Sequence, residues 1–256
     1  MEQIPRIIWE GDFGNDYTKR NMKLMSRGKF WQILNKYPIH NCLEVGCNWG
    51  RNLLDIETVT PVSCKGIDVN AKALSEGRAR GLNVDYGMGE DIPYFNKTHD
   101  LVFTVGVMIH MRTPELVRTM KEMTRVSCKY VLFAEYLGDD EEVPYHGERQ
   151  ALIKRRFSDI YEALFPDAEL VDTGKLFKED GFDDVNYWMY DISNCASENA
   201  KQEDARKGSV KNIRCSHAGA FVKSSEFVSD GGLHSGRNWP WGWKPTYQRG
   251  LPGYRN

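Results

Sequence analysis

Between residues 40 and 136, short apolar segments alternate with segments whose apolar residues recur at helical spacing. The segments HNCLEVGC, VSCKGIDV and HDLVFTVGV have the composition of buried strands. The segments between them, such as AKALSEGRARG and PELVRTMKEMTRV, have the periodicity and length of crossover helices. Strands separated by helices of this length form a parallel sheet with right-handed crossovers. The pattern therefore predicts a doubly wound α/β fold.

Composition narrows the class of protein. The chain has 256 residues, 41% of them hydrophobic, and a formal net charge of -2, which does not indicate the strongly basic surface of a nucleic-acid-binding protein. No apolar run reaches the roughly 18 residues of a membrane span, and the N-terminal MEQIPRIIWEGD lacks the apolar core of a signal peptide. The six cysteines form no CxxC pair, so no metal site is expected. We predict a cytoplasmic protein without a nucleic-acid or membrane partner.

The first strand ends in a glycine turn, CLEVGCNWGRN, which spans Cys42 to Asn52. In a doubly wound sheet, the first such turn usually forms the floor of the ligand site. A dinucleotide pyrophosphate requires GxGxxG, because the second glycine lets backbone amides approach the phosphates. Here Asn48 stands at the position of that second glycine, between Gly46 and Gly50. The turn argues against a pyrophosphate and suits a nucleoside ligand without phosphates.

Two carboxylates accompany the turn. Glu44 precedes it, and Asp68 ends the second strand, 22 residues after Gly46. A carboxylate there can accept hydrogen bonds from both hydroxyls of a ribose, although each element alone also fits a plain turn or a helix-capping Asp. Together they resemble motifs I and II of class I methyltransferases, which use S-adenosyl-L-methionine as cofactor. The resemblance implies cofactor contacts at Glu44, Gly46, Asn48, Gly50, Asp68 and Val69.

A third element, GMGEDIPYFNKTHDLVF, resembles the segment of the same superfamily that lies along the adenine. Met88 stands where many relatives carry an Asp that contacts the adenine amino group. The resemblance therefore implies a backbone contact at Gly89 and a polar contact from Glu90 or Asp91. Val105, at the end of the fourth strand, is expected to pass beneath the methionine part of the cofactor.

Three further motifs narrow the resemblance. WEGDFGNDYTKRN (Trp9 to Asn21), VGVMIHM (Val105 to Met111) and EYLGDDEEVPYHG (Glu135 to Gly147) are similar to motifs of the pseudaminic acid biosynthesis-associated methylase family. The resemblance covers about residues 7–192 and includes PDAELVDTG and VNYWMYDI as two later strands. It implies a Rossmann-like methyltransferase fold with a mostly parallel seven-stranded sheet. We predict an N-terminal helical lid at 1–38, a methyltransferase domain at 39–192 and a C-terminal extension at 193–256.

Methyl transfer to a hydroxyl requires a base, and four side chains are candidates. They are His110, Glu135, Tyr136 and His146, which sit where strand ends meet the predicted pocket. Each also has a structural alternative: His110 as a pocket border, Glu135 and Tyr136 as anchors of the following loop, and His146 as an exposed residue. In the N-terminal segment, Tyr17 and Arg20 either close over the carboxylate of the cofactor or pack on a helix surface.

The extension at 193–256 differs in charge from the rest of the chain, with a net of +5 against -7. It contains Trp239, Trp241 and Trp243, and it is interpreted either as a structural coat or as a substrate lid. For the whole chain we predict S-adenosylmethionine-dependent methyl transfer to a small polar acceptor, with a sugar or sugar-nucleotide first. Another metabolite or a peptide side chain, and a non-catalytic adenosyl-ligand-binding protein, are the alternatives. The sequence indicates neither the acceptor atom nor the oligomeric state.

Overall fold

The computed structural model describes residues 6–22, 25–145 and 148–195. Its helices are α1 (Arg6–Glu10), α2 (Asp12–Asn21), α3 (Gly28–Trp31), α4 (Arg51–Val59), α5 (Ala71–Ala79), α6 (Thr113–Val126) and α7 (Phe157–Leu164). Its strands are β1 (Asn41–Val45), β2 (Ser63–Asp68), β3 (Val84–Tyr86), β4 (His99–Val105), β5 (Ser127–Glu135), β6 (Glu141–Tyr145), β7 (Glu148–Lys154), β8 (Glu169–Leu176) and β9 (Val185–Asp191).

Seven strands form one sheet in the order β3-β2-β1-β4-β5-β9-β8. The first five are parallel, whereas β9 is antiparallel to both β5 and β8. The chain runs outward from β1 through β2 to β3, and then returns to β4 on the other side of β1. This reversal opens a crevice at the carboxyl ends of β1 and β4. The predicted doubly wound, mostly parallel seven-stranded fold is confirmed.

Apolar layers cover both faces of the sheet, as expected for parallel strands. On one face, Trp31 of α3 and Ile56 of α4 pack with Phe103 of β4. On the other, α6 buries Leu116, Met120 and Met123 against the sheet. Their spacing of four and three residues puts these side chains on one helix face. The two layers fix the strand ends that form the crevice.

The β6–β7 hairpin is an element that strand patterns in the sequence did not predict. It lies within and just after the EYLGDDEEVPYHG motif, and its ends are fastened to the rest of the domain through Arg155. The Arg155 Nη1 atom donates to the carbonyl oxygen of Met111 at 2.8 Å, and Leu137 pairs with Arg155 as an isolated bridge. The hairpin is therefore tied to the segment that follows β4.

The described residues cover only part of the three segments predicted from the sequence. The segment predicted as an N-terminal lid contains α1, α2 and α3, and residues 196–256 of the predicted extension, with its three tryptophans, lie outside the described residues. None of the helices in the described ranges combines the length and apolarity that crossing a bilayer requires.

Candidate active site

A cleft opens at the carboxyl ends of β1, β2 and β4, and the glycine turn forms its floor. The N–H groups of Gly46 and Cys47 both donate to the carbonyl oxygen of Ile67, at 2.8 and 3.0 Å. Gly46 has a φ of 74°, and a Cβ atom there would lie 2.5 Å from Val107 Cγ2. Only glycine meets both requirements without strain. The turn is thereby pressed between the end of β2 and the segment after β4.

Gly50 shapes the backbone of the turn but lies outside the cleft. It has a φ of 84° and stands at the N-cap of α4, where a Cβ atom would come within 2.8 Å of Leu82 Cδ1. It does not line the cleft, so the structure gives this predicted cofactor residue a role in the path of the backbone.

Asp68 is held in a fixed orientation at the end of β2. The backbone N–H of Asn48 donates to its Oδ2 at 2.7 Å, and that of Asn70 donates to its Oδ1 at 2.8 Å. Burial raises the pKa of Asp68, and hydrogen bonds from the amides of Asn70 and Asn48 oppose the rise. The carboxylate and Asn48 both line the cleft, so the predicted pairing of turn and acidic residue is a direct contact.

Glu44 faces the cleft from β1 with one oxygen bonded and one without a partner in the described chain. Asn52 Nδ2 donates to Glu44 Oε1 at 2.5 Å, whereas Oε2 is buried and unsatisfied. Burial raises the pKa of Glu44 to about 8, although the bond from Asn52 and the charge of Arg27 lower it. A buried acceptor without a donor is costly, so a donor from a ligand in the cleft would stabilise this oxygen.

Two guanidinium groups converge near Glu44. Arg27 Nε and Arg51 Nη2 both donate to the carbonyl oxygen of Gly181, at 2.9 and 3.1 Å. Arg27 also donates through Nη1 to Asn52 Oδ1 at 3.1 Å and lies over the ring of Phe182. Burial lowers the pKa of Arg27, and it lowers that of Arg51 to about 10. Both side chains line the cleft and offer positive charge to an anionic group.

Helices α1 and α2 close one side of the cleft through Trp9 and Tyr17. They are hydrogen-bonded to the glycine turn, because Asn48 Nδ2 donates to Thr18 Oγ1 at 2.9 Å. They are also bonded to the start of α5, because Asn70 Nδ2 donates to the carbonyl oxygen of Trp9 at 2.7 Å. Arg20, predicted beside Tyr17, does not line the cleft; its guanidinium lies 6.0 Å from the centroid of the Tyr17 ring.

The predicted adenine segment lies along the same cleft. Met88, Gly89 and Glu90 line it, together with Val69 after β2 and Val105 at the end of β4. The structure therefore brings these five predicted residues together with Asp68.

Of the four candidate bases, His110 lines the cleft. Its imidazole contacts the rings of Trp9 and Tyr145, with centroid distances of 4.6 and 5.1 Å. Trp9 and Tyr145 are called the aromatic clamp below. His110 therefore contacts both α1 and the β6–β7 hairpin through these rings.

The other three candidates stand differently. Glu135 is fully buried and does not line the cleft, and burial raises its pKa to about 7. Tyr136 is half-buried outside the lining, and burial raises its pKa, which disfavours the phenolate that a tyrosine base requires. His146 lies outside the described residues.

Several lining residues were missed by the sequence analysis. Asn52 and Trp9 lay inside quoted motifs, but nothing in their spacing indicated a side chain facing the site. Arg27 lies in MSRGKF, which carries no motif, and it reaches the cleft through a contact with Gly181, 154 residues later in the chain. Among the residues that the structure describes, no group of three His, Cys, Asp or Glu side chains could hold a metal ion.

The strand order, with five parallel strands and an antiparallel β9, is that of a Rossmann-like methyltransferase fold. Comparison with known proteins agrees: residues 42–129 match the family model described as Methyltransferase domain. Magnesium protoporphyrin IX methyltransferase from Synechocystis PCC 6803, solved with bound SAM, shares the fold with a TM-score of 0.54 at 10% identity. The superposition covers 73% of this chain and 94% of that one.

Two curated relatives match part of the chain. Ajmaline N-methyltransferase from Rauvolfia serpentina is 28% identical over 95 residues, which are 34% of this chain and 32% of the relative. Methyltransferase GfsG from Streptomyces halstedii is 30% identical over 95 residues, 34% of each chain. The chain thus spans about a third of the length of the curated relatives that it matches.

Proposed function

We propose that this chain is an S-adenosylmethionine-dependent methyltransferase that acts on a small polar acceptor. The observation that carries the proposal is the placement of Glu44 and Asp68 at the ends of neighbouring strands, beside a glycine turn that lacks a pyrophosphate motif. The match of residues 42–129 to a methyltransferase domain supports the same conclusion.

The side chains in the cleft fit the parts of that cofactor. Glu44 Oε2, buried without a partner in the described chain, suits the ammonium of the methionine moiety. Arg27 and Arg51 are placed to meet its carboxylate, and Arg51 Nε also lacks a hydrogen-bond partner among described residues. Asp68, whose orientation two backbone amides fix, suits the ribose hydroxyls. In this proposal Arg27 contacts the carboxylate, which is one of the two roles that the sequence left open for Arg20.

The bound cofactor supplies a methyl group already activated by a sulfonium, so the protein has three tasks. The glycine turn and the carboxylates orient the cofactor. The aromatic side chains of α1 and α2 exclude water from one side of the cleft. His110 is placed in the lining to accept a proton from a hydroxyl or amine acceptor. Tyr136 and His146 stay as the alternative bases if His110 is not required, whereas Glu135 is fully buried away from the cleft lining.

The acceptor class is a proposal from the family resemblance, with a sugar or sugar-nucleotide first. Another small metabolite or a peptide side chain is second, and a relative named for N-methylation of ajmaline makes amines part of the same test. A screen of acceptors with labelled cofactor, covering sugars, nucleotide sugars and amines, would decide among them. A cytoplasmic location and the absence of a nucleic-acid partner stay predictions.

Asp68 provides the test of cofactor choice. Asp68→Ala should weaken the binding of S-adenosylmethionine and S-adenosylhomocysteine by about 1.5–3 kcal/mol, because charge-assisted hydrogen bonds are lost. Isothermal calorimetry measures both ligands, with NAD as the comparison. Asp172→Ala is the control, since this carboxylate accepts bonds from Tyr37 and Tyr187 on the β8 side of the sheet. Equal affinity of the wild type for NAD would remove the proposal.

Binding without transfer is the alternative function, in which the chain recognises an adenosyl ligand and does no chemistry. Cofactor affinity alone does not separate the two functions. If the wild type binds S-adenosylmethionine and no acceptor in the screen becomes methylated, the binding function is favoured.

A further inference from the structure

Glu135 ends β5 as a fully buried carboxylate whose oxygens point to the segment that follows β4. Oε1 accepts hydrogen bonds from the N–H groups of Val107 and Met108, both at 3.0 Å. Oε2 accepts a longer bond from the N–H of Ile109 at 3.4 Å. Three successive backbone amides therefore converge on one side chain, an arrangement that binds anions elsewhere in proteins.

The segment held in this way lines the cleft. Val107 packs against Gly46 of the glycine turn and leaves no space for a Cβ atom on Gly46. His110 comes directly after the three bonded amides, and its own N–H donates to the carbonyl oxygen of Val107 at 3.0 Å. The position of the imidazole against the two rings of the aromatic clamp thus depends on the shape of residues 107–109.

The backbone amides around Glu135 offset part of the cost of burying its carboxyl group. Burial raises its pKa, and the amides of Met108, Val107, Ile109 and Gly106 oppose that rise. Asn186, directly opposite on β9, is uncharged, and Tyr136 is a titratable neighbour of Glu135. Removing the carboxylate would leave several buried amides without an acceptor, which costs free energy. Residues 107–109 would then change conformation so that their amides bond to other acceptors.

We propose that Glu135 is a positioning residue that fixes residues 107–109 and thereby places His110 in the cleft. This inference rests on the proposed function only for the catalytic consequence. The geometric part, that the carboxylate sets where the imidazole lies, holds whether or not a methyl group is transferred. Glu135 itself, sealed behind the segment, does not meet the acceptor.

Glu135→Gln tests the proposal, because the amide keeps the size of the side chain and removes its charge and one acceptor. The position of His110 is read from its imidazole Hε1 resonance, assigned by its loss in His110→Ala. In the wild type, we expect the ring currents of Trp9 and Tyr145 to displace this resonance. We expect Glu135→Gln to shift it toward the position of an exposed histidine. The kcat should fall by about 10²-fold, as for small misplacements of reacting groups, and by a larger factor than cofactor Kd rises.

Asp100→Asn is the matched control. Asp100 is a fully buried carboxylate at the opposite end of β4, and it accepts bonds from the N–H groups of His40 and Asn41 at 2.8 and 3.3 Å. It should lower thermal stability without moving the His110 resonance or changing kcat. If both variants lose stability and leave the His110 resonance unmoved, Glu135 is merely structural and the proposal is overturned.

If Glu135→Gln does not fold, Glu135→Asp replaces it, since it keeps the charge and withdraws it by one methylene. Its His110 resonance should lie away from the wild-type position, and an unshifted resonance would overturn the proposal. Failure of the proposed function has a different signature. The wild type would then methylate no acceptor, while the resonance would still move in the variants.

Discussion

At the scale of single residues, the ionisation of Glu44 should make the stability of the folded protein depend on pH. Burial raises its pKa to about 8 in the folded protein, above the ordinary value of about 4.3. The folded state therefore binds a proton more tightly than the unfolded state does. The contribution of Glu44 to stability is present in full below about pH 4.3, and it is lost as the pH rises through about 8.

The prediction is a difference between the wild type and Glu44→Gln, which cannot ionise. The melting temperature of the ligand-free wild type should decline between pH 5 and 8 more steeply than that of the variant. Differential scanning calorimetry across this range measures both. Saturating cofactor should flatten the wild-type curve, because an ammonium beside Oε2 favours the carboxylate form. Identical pH dependence of the two proteins would contradict the assignment.

His110 is the second prediction at this scale. If it accepts the proton of the acceptor, His110→Ala should lower kcat by about 10²-fold or more, while cofactor affinity holds. Steady-state kinetics and calorimetry give the two quantities separately. The buried His99, which packs near Tyr94 away from the cleft lining, provides the control substitution His99→Gln. Unchanged turnover in His110→Ala would move the role to another residue or show that no base is needed.

At the scale of elements, α1 and α2 are attached to the cofactor site through Asn70. Its side chain accepts a bond from the N–H of Ala73 at 2.8 Å and so caps α5. It also donates to the carbonyl oxygen of Trp9 and to Asn15 Oδ1. One side chain therefore joins the helix after Asp68 to the N-terminal segment, so cofactor binding and the docking of α1 should be linked.

Asn70→Ser separates the two roles. Serine retains an N-cap acceptor but lacks the amide that reaches Trp9. We expect near-normal thermal stability, faster tryptic cleavage at Lys19 or Arg20, and weaker cofactor binding. Asn70→Ala, which removes both roles, should in addition lose about 1 kcal/mol of stability. If Asn70→Ser is cleaved no faster than the wild type, the attachment of α1 does not depend on this bond.

Some elements of the fold could be predicted from the sequence and others could not. Strands β1 and β4 were predictable, because they contain the apolar runs of buried parallel strands. The glycine turn follows β1 directly and Asp68 ends β2, so both have fixed positions relative to the sheet. The β6–β7 hairpin was not, since its first strand, EEVPY, is acidic and contains a proline. The role of Arg27 depends on contacts between segments far apart in the chain, and no local pattern encodes such contacts.

At the scale of the whole molecule, the remaining question is what the aromatic C-terminal segment does. Deletion of residues 230–256 distinguishes the two interpretations of Trp239, Trp241 and Trp243. Loss of a lid should raise the KM of the acceptor or reduce turnover, with cofactor binding and melting temperature retained. Loss of a structural coat should lower the melting temperature and weaken both ligands together. A truncated protein with normal stability and kinetics would contradict both.

The antiparallel direction of β9 determines how far residue 191 lies from the cleft. Because β9 runs opposite to β5, its last residue, Asp191, pairs with Tyr130, away from the strand ends that form the cleft. Seven residues of strand at about 3.3 Å each place this exit about 23 Å from those ends. The roughly 40 residues between Cys195 and Trp239 could span several times that distance if extended. The number of residues therefore permits either role. A variant that deletes part of 196–238 and keeps Trp239, Trp241 and Trp243 would separate the effect of chain length from that of contact.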